Sequence, residues 1–238
     1  MALERKLWRA MGKCVGDYSL IADQDYIAVG LSGGKDSLSL VKLLAWQRKR
    51  APVRYRLAAI TVDLGWGDDL GDLRDLCKEL DVPHYTENTQ IGPVVFQARR
   101  EKNPCSLCAN MRRGALTNAA RRLGCNKVAL AHHLDDAVET LLLNLFYQGR
   151  ISCFQPSSYL SRRQLTVIRP LLYTPESFLA EFAQANGLPV LQNACPAVGQ
   201  TCRQDMKELV RFLDRQVPAL RQHLLRALKG LWQETPAN

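Results

Sequence analysis

The sequence predicts a doubly wound α/β fold on a mainly parallel sheet, with an additional N-terminal helix and further helices towards the C-terminus. Short apolar runs, each typical of a buried strand, alternate with segments of helical periodicity. This alternation is typical of strand–helix–strand units, whose parallel strands lie side by side. Glycine, aspartate and histidine residues follow the ends of several runs, which is where open α/β sheets bind their ligands.

The predicted elements can be placed along the chain in order. Strands are predicted over the apolar runs 26–31, 55–62, 82–86, 127–131 and, more weakly, 164–169. Helices are predicted over 3–20, from 38 to the residue before Pro52, and over 69–80, 109–123, 135–147 and most of the chain beyond Pro175. The chain 1–238 is expected to form one domain, with an N-terminal helix in 1–22, a core in 23–172 and a helical part in 173–238 that supplies a cysteine-containing loop.

Net charge and hydropathy limit the classes of protein. A formal charge of +9 and repeated basic doublets, such as Arg112-Arg113, predict a polyanionic partner such as a nucleic acid, although each doublet alone is also typical of a solvated helix face. No apolar run is long enough for a transmembrane helix, so no membrane contact is expected. The N-terminus lacks the apolar centre of a secretory signal, which predicts a cytoplasmic location.

The segment Ser32-Gly33-Gly34-Lys35-Asp36-Ser37 joins the first predicted strand to a helix. Glycines let backbone N–H groups approach an anion, and the N-terminus of the following helix adds partial positive charge. Lys35 supplies a point charge for phosphate. The alternative is a tight turn with a helix cap. The Walker A pattern does not fit, because Val29 stands where its first glycine belongs and Asp36 follows the lysine.

This hexapeptide resembles the signature of the N-type ATP pyrophosphatases, the PP-loop superfamily. The resemblance implies the adenine nucleotide α-hydrolase-like topology of that superfamily. It also implies that ATP is split to AMP and pyrophosphate while the substrate is transiently adenylated. Members include GMP synthetase, lysidine synthetase and several tRNA thiolases, so the loop leaves the substrate open.

Eight cysteines are present, and Cys105 and Cys108 form a CxxC pair. Two intervening residues let both sulfurs face one metal centre, for which a third soft ligand must come from elsewhere. A structural zinc site and a redox pair, in which Cys105 attacks and Cys108 resolves, are equally compatible with the spacing. The thiols of Cys14, Cys77, Cys125 and Cys153 are expected to be buried or incidental.

Carboxylates gather at the start of the helix predicted after the fourth strand. Asp135 and Glu139 are four residues apart and share a face, with Asp136 beside them and His132 at the strand end. Carboxylates in a first turn are favoured by the helix dipole alone. Carboxylates near a polyphosphate indicate Mg²⁺, which prefers oxygen ligands.

Three further motifs carry a closer resemblance over about residues 3–230. The stretch from Pro104 to Gly114 resembles the CSLCxxxRRG segment of the TtcA-like tRNA 2-thiocytidine synthetases. The stretch from His132 to Thr140 resembles the HHxDDxxxT motif that this family shares with lysidine synthetases, and Ile168-Arg-Pro-Leu171 adds a third match. The resemblance implies a [4Fe-4S] cluster on three cysteines, here Cys105, Cys108 and Cys195. The longer relatives have a CxxC at the last position, where this chain has one cysteine before Pro196, and Cys202 competes for the role.

The resemblance also implies roles for individual residues. Lys35, Asp36, His132 and Asp136 are expected to be catalytic. Residues expected to bind ATP and Mg²⁺ are Ser32, Gly33, Gly34, Lys35, Asp36, Ser37, Asp63 and Asp135.

The function expected from these motifs is ATP-dependent tRNA thiolation. A base carbonyl, in this family the cytidine C2 oxygen, is adenylated and then replaced by sulfur from the cluster. The expected partners are tRNA and a sulfur donor such as a cysteine desulfurase or inorganic sulfide, and a homodimer is left open. Alternatives are a ligase of the lysidine synthetase type, cluster-dependent removal of sulfur from thiolated bases, and an RNA-binding module without catalysis.

Overall fold

A computed structural model describes residues 2–98, 104–191 and 202–234. Within these ranges six strands form one sheet in the order β3-β2-β1-β4-β6-β5. The strands are β1 (Asp25–Gly30), β2 (Tyr55–Asp63), β3 (His84–Asn88), β4 (Lys127–Ala129), β5 (Ser157–Leu160) and β6 (Leu165–Ile168). All neighbours pair in parallel except β5, which pairs antiparallel with β6 at one edge.

Helices connect the strands and extend the chain at both ends. In the described part of the chain they are α1 (Ala2–Asp17), α2 (Lys35–Arg48), α3 (Gly71–Glu79), α4 (Ile91–Pro93), α5 (Pro104–Arg122), α6 (Leu134–Gln148), α7 (Glu176–Ala185), α8 (Cys202–Gln216) and α9 (Leu220–Glu234). The short α4 continues into a π-helical turn over Val94–Ala98. The mainly parallel sheet flanked by helices confirms the predicted fold class.

The side chains of the central strand β1 alternate between two cores. Ile27 and Val29 face the larger core, which also receives apolar residues of α1, α2, α6 and α7, whereas Ala28 faces a smaller core under α5. Helix α2 is buried on most of its surface because α7 covers the side away from the sheet. The two helices meet through Phe182 and Trp46, whose rings pack edge to face at 5.9 Å.

The strand order places a crevice beside β1. From β1 the chain passes to β2 and β3 on one side, and then returns to β4 on the other side. The loops that follow β1 and β4 therefore diverge at a topological switch point, where open α/β sheets bind ligands. The hexapeptide follows β1 and His132 follows β4, so the fold brings these two motifs together.

Several predicted boundaries need correction. The CxxC does not precede a helix beginning at 109, because α5 begins at Pro104 and includes both cysteines. A proline fits the first turn of a helix, where its missing N–H group would have had no partner. The third strand lies two residues later than predicted, and β5 was not predicted because its sequence, SSYL, has no apolar run. The helices predicted beyond Pro175 are confirmed as α7, α8 and α9.

In the described ranges no helix is both long and apolar enough to cross a membrane.

Phe182 tests the packing of α7 on α2. Its side chain is 0% exposed, so Phe182→Ala should lower the free energy of unfolding by about 3–5 kcal/mol through lost burial and the cavity that remains. Phe146→Ala is the matched control, because Phe146 is 58% exposed and its loss should cost less than about 0.5 kcal/mol. Urea unfolding of both variants measures the difference, and equal losses would contradict this packing.

Candidate active site

The loop Ser32–Ser37 is closed by its own serines. The backbone N–H of Ser32 donates to Ser37 Oγ at 3.1 Å, and Ser37 Oγ donates to the carbonyl of Gly34 at 2.9 Å. The two hydroxyl oxygens also lie 3.1 Å apart. Gly34 is the N-cap residue of α2 and has no side chain to offer to the N–H groups of the first turn. The serines therefore shape the loop, and the helix end stays open to an anion.

Gly33 explains why this loop needs glycine. Its φ of 77° lies in the left-handed region, and its carbonyl accepts a hydrogen bond from the N–H of Leu191 at 3.0 Å. A Cβ on Gly33 would lie 2.7 Å from Leu191 Cδ1. Leu191 is thus packed on the loop at the point where the segment 192–201 begins. That segment contains Cys195 and lies outside the described residues.

Lys35 and Asp36 form the charged part of the loop. Lys35 Nζ lies 3.1 Å from Asp36 Oδ2 and 3.0 Å from Glu176 Oε1 on α7. Burial lowers the pKa of Lys35, but these two carboxylates outweigh it and raise the pKa above its ordinary value. Asp36 Oδ1 is buried and has no hydrogen-bond partner among the described residues. An unpaired buried carboxylate oxygen costs free energy, so the site fits a ligand such as Mg²⁺.

His133 links the two loops of the switch point. It is the N-cap residue of α6: its Nδ1 accepts the N–H of Asp136 at 3.3 Å, and its own N–H donates to Asp136 Oδ2 at 3.0 Å. Its Nε2 lies 3.8 Å from Asp36 Oδ2 on the hexapeptide loop. Sequence reasoning did not select His133, although it stands inside the motif that selected His132.

His132 points to a different set of partners. Its Nδ1 accepts a hydrogen bond from Arg169 Nε at 3.3 Å, and its ring packs against Phe154 at an interplanar angle of 35°, with centroids 4.9 Å apart. Burial, followed by the nearby Arg169 charge, lowers the pKa of His132 to about 4. The imidazole is therefore neutral at pH 7, and the accepting Nδ1 assigns the proton to Nε2.

The three carboxylates of α6 have distinct partners. Asp135 Oδ2 accepts the N–H of Glu176 at 2.7 Å and Oδ1 pairs with Arg221, so both oxygens support the C-terminal helices. Asp136 Oδ1 lies 3.1 Å from Arg203 Nη1. Burial, together with Asp136, raises the pKa of Glu139 to about 7, and Arg203 Nε lies 3.9 Å from its carboxylate.

Asp63, predicted to contact ATP, ends β2. Its Oδ1 accepts the N–H of Gly65 at 2.8 Å, and its carbonyl accepts the N–H of Thr89 at 3.1 Å. These bonds hold the turn after β2 at the same edge of the sheet as the hexapeptide loop. Asp63 itself contacts the loop after β2 and the loop after β3.

Cys105 and Cys108 are the second and fifth residues of α5, at its N-terminal end. Cys105 is exposed, whereas Cys108 is 7% exposed and packs with Ile91 and Val95. The positive end of a helix favours thiolates, so two sulfurs at this position suit a metal centre. Of the described residues no group of three His, Cys, Asp or Glu side chains could hold a metal. The third ligand was predicted as Cys195, outside the described residues, and the competitor Cys202 is the first residue of α8.

Cys14, Cys77, Cys125 and Cys153 differ from this pair. Burial raises the pKa of Cys14 and Cys153 to about 12, and that of Cys77 and Cys125 to about 11. Thiols with such pKa values stay protonated at neutral pH, which agrees with the expectation that these four are buried or incidental.

Two comparisons define the class of protein. A family model described as a PP-loop domain matches residues 3–203. The U34-tRNA thiolase NcsA from Methanococcus maripaludis, solved with its [4Fe-4S] cluster, superposes with a TM-score of 0.81 at 23% identity, over 98% of this chain and 80% of that one. An NH₃-dependent NAD synthetase from Campylobacter jejuni has a TM-score of 0.51 at 16% identity, over 98% and 93%. The fold and the loop are those of a PP-loop protein.

Sequence comparison makes the assignment narrower. A tRNA-cytidine(32) 2-sulfurtransferase of Geobacter sulfurreducens is 42% identical over 228 residues, 94% of this chain and 89% of the relative. The protein of the same name from Syntrophotalea carbinolica is 44% identical over 230 residues, 95% and 89%. The chain belongs to the PP-loop family and, within it, to the tRNA-cytidine(32) 2-sulfurtransferases.

Gly33→Ala tests the contact between the loop and Leu191. Gly124 has nearly the same φ, 75° against 77°, but open space where its Cβ would be. Gly124→Ala should therefore cost only the backbone strain of about 1–2 kcal/mol. Gly33→Ala should cost about 1–3 kcal/mol more, because the methyl group overlaps Leu191.

Urea unfolding measures both changes. Adding Leu191→Ala to Gly33→Ala should recover part of the loss, since the nearest atom, Leu191 Cδ1, is removed. Equal losses in the two glycine variants would rule out this close approach.

His132 should show its low pKa directly. In an NMR titration its imidazole should protonate near pH 4, because burial and Arg169 disfavour the charge. Acidification below about pH 6.5 should therefore destabilise the protein, since the unfolded chain binds that proton more readily. Arg169→Gln should raise the pKa of His132 by about one unit. Protonation of His132 near pH 6.5 would contradict the structure.

Proposed function

We propose that this protein thiolates a cytidine of tRNA at the expense of ATP, which is cleaved to AMP and pyrophosphate. The observation that carries the proposal is the uncapped N-terminus of α2, with Lys35 and the unpaired Asp36 Oδ1 beside it. An open helix end with a lysine suits a polyphosphate, and an unpaired carboxylate oxygen suits its cation. The relatives named for tRNA-cytidine(32) sulfur transfer, 42% and 44% identical, supply the proposed substrate.

The first step of the proposed reaction is adenylation. The phosphates of ATP lie on the loop Ser32–Ser37, where the N–H groups of α2 and Lys35 balance their charge. The cytidine C2 oxygen attacks the α-phosphorus, forming an O–P bond while the bond to pyrophosphate breaks. Mg²⁺ bound at Asp36 would offset the charge of the departing pyrophosphate. The C2 oxygen then leaves more easily, because it departs as AMP.

His132 and Asp136 are the proposed catalytic side chains of the second loop. A neutral His132 with its proton on Nε2 can donate a hydrogen bond to the base without adding a charge. Asp136 holds His133 on one side and Arg203 on the other, so it positions a cation near the reacting centre. Asp63 is proposed to contact the ribose. Asp135, proposed from the sequence to bind ATP or Mg²⁺, would act on the site through Glu176.

The second step is displacement of AMP by sulfur. Cys105, Cys108 and Cys195 would hold a [4Fe-4S] cluster, which would supply nucleophilic sulfur at the oxidation level of sulfide. The C2–S bond forms as the C2–O bond to AMP breaks. The described residues fit this role in the pair Cys105 and Cys108, whose helix N-terminus favours a negative centre. Arg112 and Arg113, both exposed on α5 beside the cysteines, are proposed to bind the RNA backbone.

The remaining proposals concern partners and location. A cysteine desulfurase or inorganic sulfide would supply the sulfur, and the chain would act in the cytoplasm. A second copy of this chain is the remaining proposed partner.

The decisive experiment is an anaerobic assay with unmodified tRNA and sulfide, followed by mass spectrometry of nucleosides. Wild-type protein should form 2-thiocytidine only with ATP, and release one pyrophosphate for each sulfur transferred. Cys105→Ala, Cys108→Ala and Cys195→Ala should each abolish the product and lower the iron content. Cys77→Ala is the control, because that thiol is buried on α3 and should leave activity unchanged.

Other results would identify the alternatives. A ligase of the lysidine synthetase type would stay active after loss of all three cysteines. An enzyme that removes sulfur would act on thiolated tRNA without ATP, and an RNA-binding module would release no pyrophosphate. If Cys202→Ala loses the iron cluster and Cys195→Ala keeps it, the third cluster ligand is Cys202 and not Cys195.

A further inference from the structure

Glu176 joins two lysines from distant parts of the chain. Its Oε1 lies 3.0 Å from Lys35 Nζ of the loop Ser32–Ser37, called the phosphate loop below, and 2.9 Å from Lys207 Nζ of α8. Its Oε2 lies 2.7 Å from Lys207 Nζ. Two ammonium groups therefore converge on one carboxylate at the open end of α2.

The carboxylate is an anion at every physiological pH. Burial raises the pKa of Glu176, but the bonds to Lys207 and Lys35 outweigh it and lower the pKa to about 2. A phosphate oxygen offers the same chemistry to an ammonium group as this carboxylate oxygen does. The arrangement thus resembles a phosphate site in which the protein's own anion is bound.

The place of α8 supports this interpretation. Arg203 and Lys207 are four residues apart, so they lie on one face of α8. Arg203 binds Asp136 at the start of α6, and Lys207 binds Glu176 at the start of α7. This face of α8 is therefore turned towards the edge of the sheet that carries the phosphate loop.

We propose that Lys207 is a second phosphate-binding cation of this site, and that Glu176 holds Lys35 and Lys207 in position until a polyphosphate displaces its carboxylate. This inference rests on the proposed use of ATP. Lys35 and Lys207 contact the same carboxylate oxygen of Glu176, so the two lysines would bind neighbouring phosphate oxygens. These oxygens belong to the pyrophosphate portion of the nucleotide. Glu176 is then a competitor as well as a positioning residue.

A purely structural ion pair predicts a different outcome. If the pair only fastened α8 to α7, removing either partner would weaken ligand binding to a similar degree. In our proposal the two substitutions act in opposite directions. Lys207→Met removes a ligand for phosphate, whereas Glu176→Gln removes a negative charge that competes with it.

The test is calorimetric titration of the protein with inorganic pyrophosphate and Mg²⁺. Lys207→Met should raise the Kd about tenfold, the loss expected for one charge-assisted hydrogen bond. Lys207→Arg should keep most of the affinity. Glu176→Gln should lower the Kd about threefold. Lys229→Met is the matched control, because Lys229 also pairs with a carboxylate, Asp17, and is 27% exposed against 28% for Lys207.

Thermal unfolding verifies that each variant is folded before titration. An unchanged Kd in Lys207→Met, a higher Kd in Glu176→Gln, or no saturable binding by wild type would overturn the proposal. If Lys207→Met does not fold, the sign of the change in Glu176→Gln decides. The thiolation assay on the same preparations separates the two hypotheses: wild type that binds pyrophosphate without forming thiocytidine refutes only the function, and normal thiolation with unchanged Kd values refutes only this inference.

Discussion

Three helices, α2, α6 and α7, begin at one edge of the sheet, and each leaves N–H groups without partners in its first turn. The protein satisfies two of these ends itself. His133 and Asp136 cap α6, and Asp135 accepts the first N–H of α7. Helix α2 begins instead at Gly34, which contributes no side chain. The N–H groups at that end are therefore available to an anion. Because α2 is open and α6 and α7 are closed by side chains, the anion site lies at the start of α2.

The charges around that end explain why the C-terminal helices are part of the site. A carboxylate that loses contact with water is unfavourable unless it is paired, and here Asp135 is buried while Asp136 and Glu176 are half-buried. Asp135 is paired with Arg221 of α9, Asp136 with Arg203 of α8, and Glu176 with Lys207 of α8. The cations that stabilise the start of α6 and α7 thus come from the last third of the chain. The helical part beyond Pro175 is therefore required for the charge balance of the phosphate loop.

The cysteine pair and the phosphate loop lie at the same edge of the sheet because of the topology. The crossover from β3 to β4 includes α4 and then α5, which leads into β4, so the N-terminus of α5, with Cys105 and Cys108, lies towards the carboxyl ends of the parallel strands. Leu191, the last described residue before the segment that contains Cys195, packs on Gly33 of the phosphate loop. The motifs predicted for ATP activation and for sulfur delivery therefore share one edge of the sheet.

The sequence alone determined the features that depend on neighbouring residues. A buried apolar run, two glycines and a helix start predicted the phosphate loop, because its geometry is set within a few residues. The shared metal centre indicated by the CxxC spacing stays a prediction. Tertiary structure alone decided the partners of the charged groups. Glu176 meets Lys35 across 141 positions, and no local pattern marks it out from other glutamates at a helix start. His132 and His133 are adjacent in the sequence, but their side chains have different partners. His133 is the N-cap residue of α6, and this position turns its ring towards Asp36. Such choices depend on how helices pack, and this packing involves contacts between residues that are distant in the chain.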